Sequence, residues 1–141
     1  PPPRWQTHRN RYNRDQRVPR SGANDMTQTD QRFIIEMGSG NDQYGMDYTK
    51  AAARAIEDAI RHSSIPMLAA RSIPHTDMRV EVTVGVQEPD KLDTDALKSA
   101  LPLGTTTITP THGGLNVTNP DTGDTIVIAT AAVEAFLPKQ V

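Results

Sequence analysis

Residues 32–52 read RFIIEMGSGNDQYGMDYTKAA and pass from an apolar run, through glycines, into a segment with helical spacing. The run from Arg32 to Met37 is rich in residues that favour β-structure, and Gly38-Ser39-Gly40 follows it at once. Short apolar runs that end at glycines are typical of strands that enter turns. We therefore predict a first strand over 32–37 with a glycine turn after it.

A helix is predicted over residues 48–64, which contain no Gly or Pro and are followed closely by Pro66. Asp47 stands immediately before this segment, and aspartate is a favoured N-cap residue. Small and apolar residues recur in the segment with the spacing of one helical face, and they are Ala52, Ala55, Ile56, Ala59, Ile60 and Ser63. The charged residues Lys50, Arg54, Glu57, Asp58 and Arg61 lie mostly on the other faces.

Four further strands and one short helix are predicted beyond the first helix. The strands follow from apolar alternation or β-branched runs between turn signals, and they cover residues 78–86, 105–109, 115–117 and 125–137. Asp93 caps the short helix, which runs to Ala100. Pro110 cuts one strand and favours an edge position for it. The last strand is long enough to be central, and its small residues 129–132 mark a bulge or a close contact.

The order β-α-β-α-β-β-β predicts an α/β (α+β) fold, a mixed β-sheet with two helices on one face. A strand–helix–strand opening favours a parallel pair joined by a right-handed crossover. The predicted core is thin, because the helical stripe is mostly alanine and the chain has only two Phe. Covering the second face of the sheet would add buried area, so we expect a homo-oligomer or a subunit of a larger protein complex.

The composition changes near residue 31. Residues 1–31 form an irregular arm rich in Pro, Arg and Asn, which buries too little apolar surface to offset its ordering entropy. Residues 32–141 are expected to form a single α/β domain. Six Arg and three Asp give the arm a charge of +3, and the other 110 residues carry −5, consistent with −2 for the whole chain. A basic arm on an acidic body indicates a negatively charged partner.

The arm is predicted to contact RNA or an acidic protein, because arginines interspersed with aromatic residues suit both. The predicted partner-binding residues are Arg4, Trp5, Arg9, Arg11, Tyr12, Arg14, Arg17 and Arg20. The stretch before Asp15 holds no acidic residue and resembles the end of an organelle-targeting segment, so a mitochondrion or plastid is an expected location. A solvated extension is the alternative.

Several functional classes are excluded or left without support. The chain contains no cysteine, so disulfides, thiol nucleophiles and thiolate metal sites are excluded. No window approaches ~18 consecutive apolar residues, so no transmembrane helix is predicted. No HExxH or other paired spacing supports a metal site, and the one alternative is a cluster of His62, His75, His112 and Asp42.

The segment GSGNDQYG, residues 38–45, lies between a predicted strand and a predicted helix. Glycines let a ligand approach the backbone, and the amides and dipole at a helix start favour an anion. We therefore predict an anion or small-molecule site here, where Asp42 and Asp47 orient the ligand or hold Mg²⁺. The predicted ligand-binding residues are Gly38, Ser39, Gly40, Asn41, Asp42, Tyr44, Gly45 and Asp47. The alternative is a tight turn with a capping aspartate.

Residues 32–52 resemble a small family of conserved hypothetical proteins with a GxGxDxHG signature, and three later segments, 59–64, 80–86 and 126–132, fit it as well. This family occurs in bacteria, cyanobacteria and plants, where it carries a long N-terminal prefix, and its activity is not established. The resemblance therefore implies a domain boundary and a site, but no reaction and no cofactor. Tyr44 stands where the signature has histidine. Because tyrosine is a poor general base at neutral pH, this replacement weakens the case for catalysis.

Two functional hypotheses follow from these observations. In the first, the domain is a small-molecule-binding protein or an enzyme whose site lies at residues 38–45 and the start of the first helix. In the second, the domain is a non-catalytic accessory subunit of a larger, organellar assembly, anchored by its Arg-rich arm. The arm and the replacement at Tyr44 favour the second hypothesis.

Overall fold

The computed structural model describes residues 30–61, 78–99, 101 and 105–138. In chain order, these ranges form β1 (Asp30–Asp42), α1 (Tyr48–Arg61), β2 (Arg79–Val86), a 3₁₀ turn (Pro89–Lys91), α2 (Thr94–Ser99), β3 (Thr105–His112), β4 (Leu115–Thr118) and β5 (Thr125–Pro138). The predicted partner-binding residues of the arm lie outside the described residues, as do His62 and His75. No helix within the described ranges is long and apolar enough to cross a membrane.

The strands form one mixed sheet in which β5 is central. β1 and β2 each pair antiparallel with β5, and β3 pairs parallel with β2 at the edge. β4 pairs antiparallel with residues 125–128 of β5, beyond the end of β2. This arrangement confirms the predicted mixed α+β sheet with two helices, the central last strand and the edge position of β3. β3 continues through Pro110 to His112, so the prediction that Pro110 cuts the strand was wrong.

β1 and β2 run in the same direction, as predicted, but they do not pair with each other, so that part of the prediction was wrong. β5 lies between them and pairs with both. Its 14 residues alternate between buried and less buried positions from end to end. A strand this long leaves many backbone groups to satisfy, and a central position lets both of its sides form ladder hydrogen bonds. Chain order alone favours pairing between successive strands, and the long alternation of β5 outweighs that preference.

The core lies between one face of the sheet and α1. The predicted stripe on α1 is confirmed, because its members up to Ala59 are buried: Ala52, Ala55, Ile56 and Ala59. Ile60 is half-buried and packs against the same core, while Ser63 lies outside the described residues. Alternate residues of the two inner strands meet this stripe, and they are Val80, Val82, Val84, Val127, Ala129, Ala131, Val133 and Ala135.

The glycines predicted to form a turn lie inside β1, so that prediction was wrong. The strand continues through Gly38 and Gly40 to Asp42 and stays paired with β5. A Cβ on Gly40 would lie 2.5 Å from the carbonyl oxygen of Ala51 on α1, and a Cβ on Gly38 would collide with the backbone of Ala55. These glycines therefore let α1 approach the sheet closely. Glycine within a strand often marks such a close approach, just as glycine between elements often marks a turn.

The small residues of β5 also serve this close approach. The pairing of β1 with β5 has one register shift, between Arg32 and Ile34, and no shift at residues 129–132. Ala129 and Ala131 are buried on the face that packs against α1. Of the two predicted roles for this run, a bulge or a close contact, the structure therefore favours the contact.

Residues Gly113-Gly114 carry the chain from β3 to β4 across the end of β2. β3 and β4 run in the same direction, since β3 is parallel to β2 and both β2 and β4 are antiparallel to β5. Gly114 adopts a φ of +60°, and a Cβ there would collide with the carbonyl oxygen of Ile128. The side chain of Gln87 donates hydrogen bonds of 3.0 Å to the carbonyl oxygens of both glycines. The connection from β3 to β4 therefore depends on two glycines, which leave room for the chain to pass over the end of β2.

Candidate functional site

The predicted ligand-binding residues fall into three local structures. Gly38, Ser39, Gly40, Asn41 and Asp42 form the last part of β1, Tyr44 and Gly45 lie in the connection to α1, and Asp47 precedes the first turn of α1. In the connection, Gly45 has a φ of +96° and Met46 a φ of +52°. Glycine adopts such left-handed values without a Cβ penalty, so Gly45 supplies the turn that the sequence placed earlier.

The carboxylate of Asp42 is the buried polar centre of this region. Its side chain is 4% exposed, and its Oδ2 accepts a 3.0 Å hydrogen bond from the backbone N–H of Asp47. Its Oδ1 lies 3.7 Å from Nζ of Lys50 and 3.9 Å from Nη1 of Arg54. A buried carboxylate requires such partners, because an unpaired charge away from water is costly.

Asp47 caps α1, as the sequence predicted. Its Oδ1 accepts a 3.0 Å hydrogen bond from the backbone N–H of Lys50 at the third helical position. Together with the bond from the Asp47 amide to Asp42, this satisfies donors that would otherwise face an anion at the helix start. Both aspartates therefore hold the start of α1 in place.

The amide of Ser39, which was expected to help hold an anion, is also engaged. Its N–H donates a 3.0 Å hydrogen bond to Oδ2 of Asp58, and the carbonyl oxygen of Asn41 accepts a 2.6 Å bond from Nη1 of Arg54. Two side chains of α1 thus satisfy backbone groups on the outer edge of β1. An edge strand covered in this way offers few groups to another strand or ligand.

A cleft remains between the end of β1 and the first two turns of α1, which we call the β1–α1 cleft. Its volume is about 340 Å³, and it is lined by Asn41, Asp42, Gln43, Tyr44, Lys50 and Arg54. The side chains of Lys50 and Arg54 are 53% and 48% exposed, so both cations reach solvent at the cleft. Sequence reasoning placed these two cations on solvated helix faces. Their i,i+4 spacing close to a cap aspartate was the signal that could have found them.

Tyr44 stands between two cavities and is 79% exposed. It lines the β1–α1 cleft and also a cavity of about 500 Å³ beside the β4–β5 hairpin, where Val117, Asn119 and Ile126 contribute. The position at which the resemblance expects histidine is therefore an accessible rim position, open to a ligand from either side.

A second polar cluster, which sequence reasoning missed, joins α1 to the ends of β2 and β4. The buried hydroxyl of Tyr48 donates a 2.9 Å hydrogen bond to Oε2 of Glu88 and accepts a 2.7 Å bond from Nδ2 of Asn116. The Tyr48 hydrogen bond, followed by that from Lys91, lowers the pKa of Glu88 below its usual value. The three residues are far apart in the sequence, so no local pattern connects them.

Among the described residues, the remaining candidates do not assemble into a metal centre. His112 is exposed at the end of β3, and the ranges covered by the structure contain no group of three His, Asp or Glu side chains that could hold a metal ion. The proposed Mg²⁺ ligands, Asp42 and Asp47, instead contact backbone amides and, for Asp42, two cations.

Comparison with known proteins places the chain in a family. The model of the family described as "Conserved hypothetical protein (Lin0512_fam)" matches residues 32–135, and the chain belongs to this family. A crystal structure of an FtsZ-like protein of unknown function from Nostoc punctiforme PCC 73102 is 35% identical, with a TM-score of 0.66. That match covers 79% of this chain and 98% of the other. None of the curated proteins matches the chain.

Proposed function

We propose that this domain binds a small anionic ligand in the β1–α1 cleft. The observation that carries the proposal is the pair of half-exposed cations, Lys50 and Arg54, which share the single buried carboxylate of Asp42. Two positive charges against one negative charge leave the cleft with an excess of +1. The charge that attracts the ligand therefore comes from side chains of α1, while the amides of Ser39 and Asp47 donate to aspartate side chains of the protein itself.

The distances support an attraction that is not fully used within the protein. Nζ of Lys50 and Nη1 of Arg54 are 3.7 and 3.9 Å from the carboxylate, longer than direct charge-assisted hydrogen bonds of ~2.7–2.9 Å. Lys50 can thus add a ligand oxygen without first breaking a short ion pair, and Arg54 can do so through N–H groups other than the one that donates to the carbonyl oxygen of Asn41. The buried carboxylate holds them next to each other when the cleft is empty, which lowers the ordering cost of binding.

The size and lining of the cleft indicate the kind of ligand. A volume of about 340 Å³ is at the lower end for small-molecule sites, which span ~300–1,000 Å³. The amide group of Gln43 and the hydroxyl of Tyr44 can bond to the uncharged part of a ligand. A phosphorylated or carboxylated metabolite of few atoms fits these features best.

Calorimetric titration of the full chain, first with inorganic phosphate and then with small phosphorylated compounds, tests this proposal. Lys50→Gln and Arg54→Gln should each weaken binding by about tenfold, since each removes a charge next to the ligand. Arg61→Gln is the matched control, because Arg61 lies on the same helix and pairs with Glu57. Equal affinity of all three variants and the parent would remove the cleft from consideration.

We also propose that the chain works within an assembly, either as a homo-oligomer or as an accessory subunit anchored by its arm to RNA or an acidic protein. The uncovered second face of the sheet supports this proposal, since Ile35, Met37 and Val117 are exposed on it. An organellar location remains part of the same proposal. Replacing the six arginines of residues 1–31 by glutamine should release a co-purifying partner, and retention of that partner would count against the anchoring role.

A further inference from the structure

The side of the sheet opposite α1 carries exposed apolar side chains, and we call it the open face. Within the described strands, its residues are the odd-numbered positions 35–41 of β1, 79–85 of β2, 105–111 of β3, 115 and 117 of β4, and the even-numbered positions 126–136 of β5. Its large exposed hydrophobic residues are Ile35, Met37, Leu115, Val117 and Ile126. They form two apolar groups on the face, one at Ile35 and Met37 and one at Leu115, Val117 and Ile126, and exposed apolar groups of this kind are typical of interaction sites.

The charged side chains on the open face are paired within the chain. Arg79 lies 2.9 Å from a carboxylate oxygen of Asp30, also pairs with Glu81, and stacks over the ring of Phe136 at 4.0 Å. At the same end of the sheet, Arg32 and Glu134 form a 3.2 Å ion pair. Two arginines and three carboxylates leave this cluster with a net charge of −1, which does not suit nucleic acid and is small enough to tolerate an identical surface.

The open face also carries a projecting apolar side chain and a mostly apolar groove. Met37 is 72% exposed and forms part of the wall of a shallow groove of about 560 Å³. The other lining residues are mostly small, among them Thr83, Gly85, Thr130 and Ala132, and they also include Asp58 and His112. Met37 and Thr83 lie opposite the same residue, Ala132, from its two sides. Two strand spacings, ~9–10 Å, therefore separate Met37 from Thr83 across the groove.

A projection and a groove on one surface make that surface complementary to its own copy. When two such faces meet, the same rotation that places one Met37 in the partner's groove places the other Met37 in the first groove. Methionine suits this role, because its flexible side chain fills irregular apolar gaps.

The area of the open face is also sufficient for a stable contact. β1 and the pair β2–β4 flank β5 along nearly its full length, and β3 widens one end. With strand spacings of ~4.8 Å and a rise of ~3.3 Å per residue, the face covers roughly 800 Å². A standard stable interface buries about the same area on each partner, ~800 Å².

We propose that a second copy of this chain packs against the open face, with Met37 of each copy seated in the groove of the other. This proposal rests on the proposed assembly and narrows it to self-association through one face and one anchoring side chain. It also explains the thin core, because the sheet then buries its second face as well.

Size-exclusion chromatography with light scattering on the full chain tests the proposal. The measured mass of the parent protein should be at least twice the mass of one chain. Met37→Asp should weaken association at least ~100-fold, because a carboxylate without a partner would be buried in the contact. Met37→Leu should retain the assembly. Met46→Asp is the matched control, because Met46 is exposed in the β1–α1 connection, away from the open face.

Cross-linking gives an independent measurement, since the parent chain has no cysteine. Cysteines at Met37 and Thr83 of one chain are too far apart for a disulfide, which requires Cα atoms within ~7 Å. The double variant M37C/T83C should therefore form covalently linked copies under mild oxidation. A monomeric parent chain, an assembly unaffected by Met37→Asp, or a double variant that stays uncross-linked would each overturn the proposal. A monomer that still co-purifies with another protein would leave the accessory-subunit role standing.

Discussion

The close packing of α1 on β1 leads to a sharp prediction for Gly40→Ala. An added Cβ would lie 2.5 Å from the carbonyl oxygen of Ala51 and 2.6 Å from Cβ of Arg54, whereas ordinary contacts begin at 3.4 Å. The first of these atoms belongs to the helix backbone, which cannot rotate away. α1 must therefore retreat from the sheet by about 1 Å, and a gap of that size forfeits roughly a quarter to a half of each affected contact.

The expected cost is about 2–3 kcal/mol in the free energy of unfolding, the upper range for overpacking a buried contact. Backbone propensity alone predicts that Gly40→Ala stabilises the protein, because replacing a strand glycine by alanine at other sites raises the free energy of unfolding by ~0.5–1 kcal/mol. Urea unfolding followed by circular dichroism distinguishes the two, since the midpoint should fall while the slope stays constant. The melting temperature should drop by roughly 10 °C for a domain of this size.

Ser39→Ala is the control, because Ser39 lies between the two glycines with its side chain on the open face. It should change stability by less than ~0.5 kcal/mol, as is usual for an exposed site. A Gly40→Ala variant as stable as the parent chain would show that α1 does not rest on β1 at this distance, and the account of both strand glycines would fail with it.

Three further outcomes are expected. Tyr48→Phe should lower stability by about 1–2 kcal/mol in urea unfolding, because it leaves Asn116 without its 2.7 Å partner and Glu88 without its 2.9 Å donor. The folded pKa of Glu88 lies below its unfolded value, so its stabilisation is present above the unfolded pKa of ~4.3 and is lost as the pH falls through the folded pKa. Urea midpoints measured from neutral to acidic pH should therefore decline less steeply in Tyr48→Phe than in the parent, and equal slopes would contradict the assignment. Gly114→Ala should destabilise by more than the ~1 kcal/mol of an unfavourable φ, because its Cβ would also collide with the carbonyl oxygen of Ile128; thermal melting measures this, and an unchanged melting temperature would refute it.

Local patterns along the chain were sufficient for the elements and their faces. The spacing of Ala52, Ala55 and Ala59 predicts the buried side of α1, and Asp47 marks the residue that caps it. Pro110 correctly indicates an edge strand. These features depend on contacts within a few residues or on the simple division between core and solvent, so residue type and period carry them.

The candidate site was only partly accessible from the same patterns. The sequence led to the junction of β1 and α1, and that junction does contain a cleft. The sequence pattern led us to assign anion binding to backbone amides and not to Lys50 and Arg54, because a charged residue on an amphipathic helix is usually solvated. Only the burial of Asp42 beneath the helix shows why these two cations lie side by side.

The sequence alone therefore specified a mixed sheet with two helices, a long last strand and the buried side of α1. Tertiary structure was needed to place β5 between β1 and β2 and to show that Gly38 and Gly40 admit a helix and not a turn. It was needed as well to join Tyr48 to residues 40 and 68 positions away. The physical reason is the same in each case: periodicity records whether a side chain is buried, but the identity of its neighbour depends on long-range packing that no short stretch of sequence encodes.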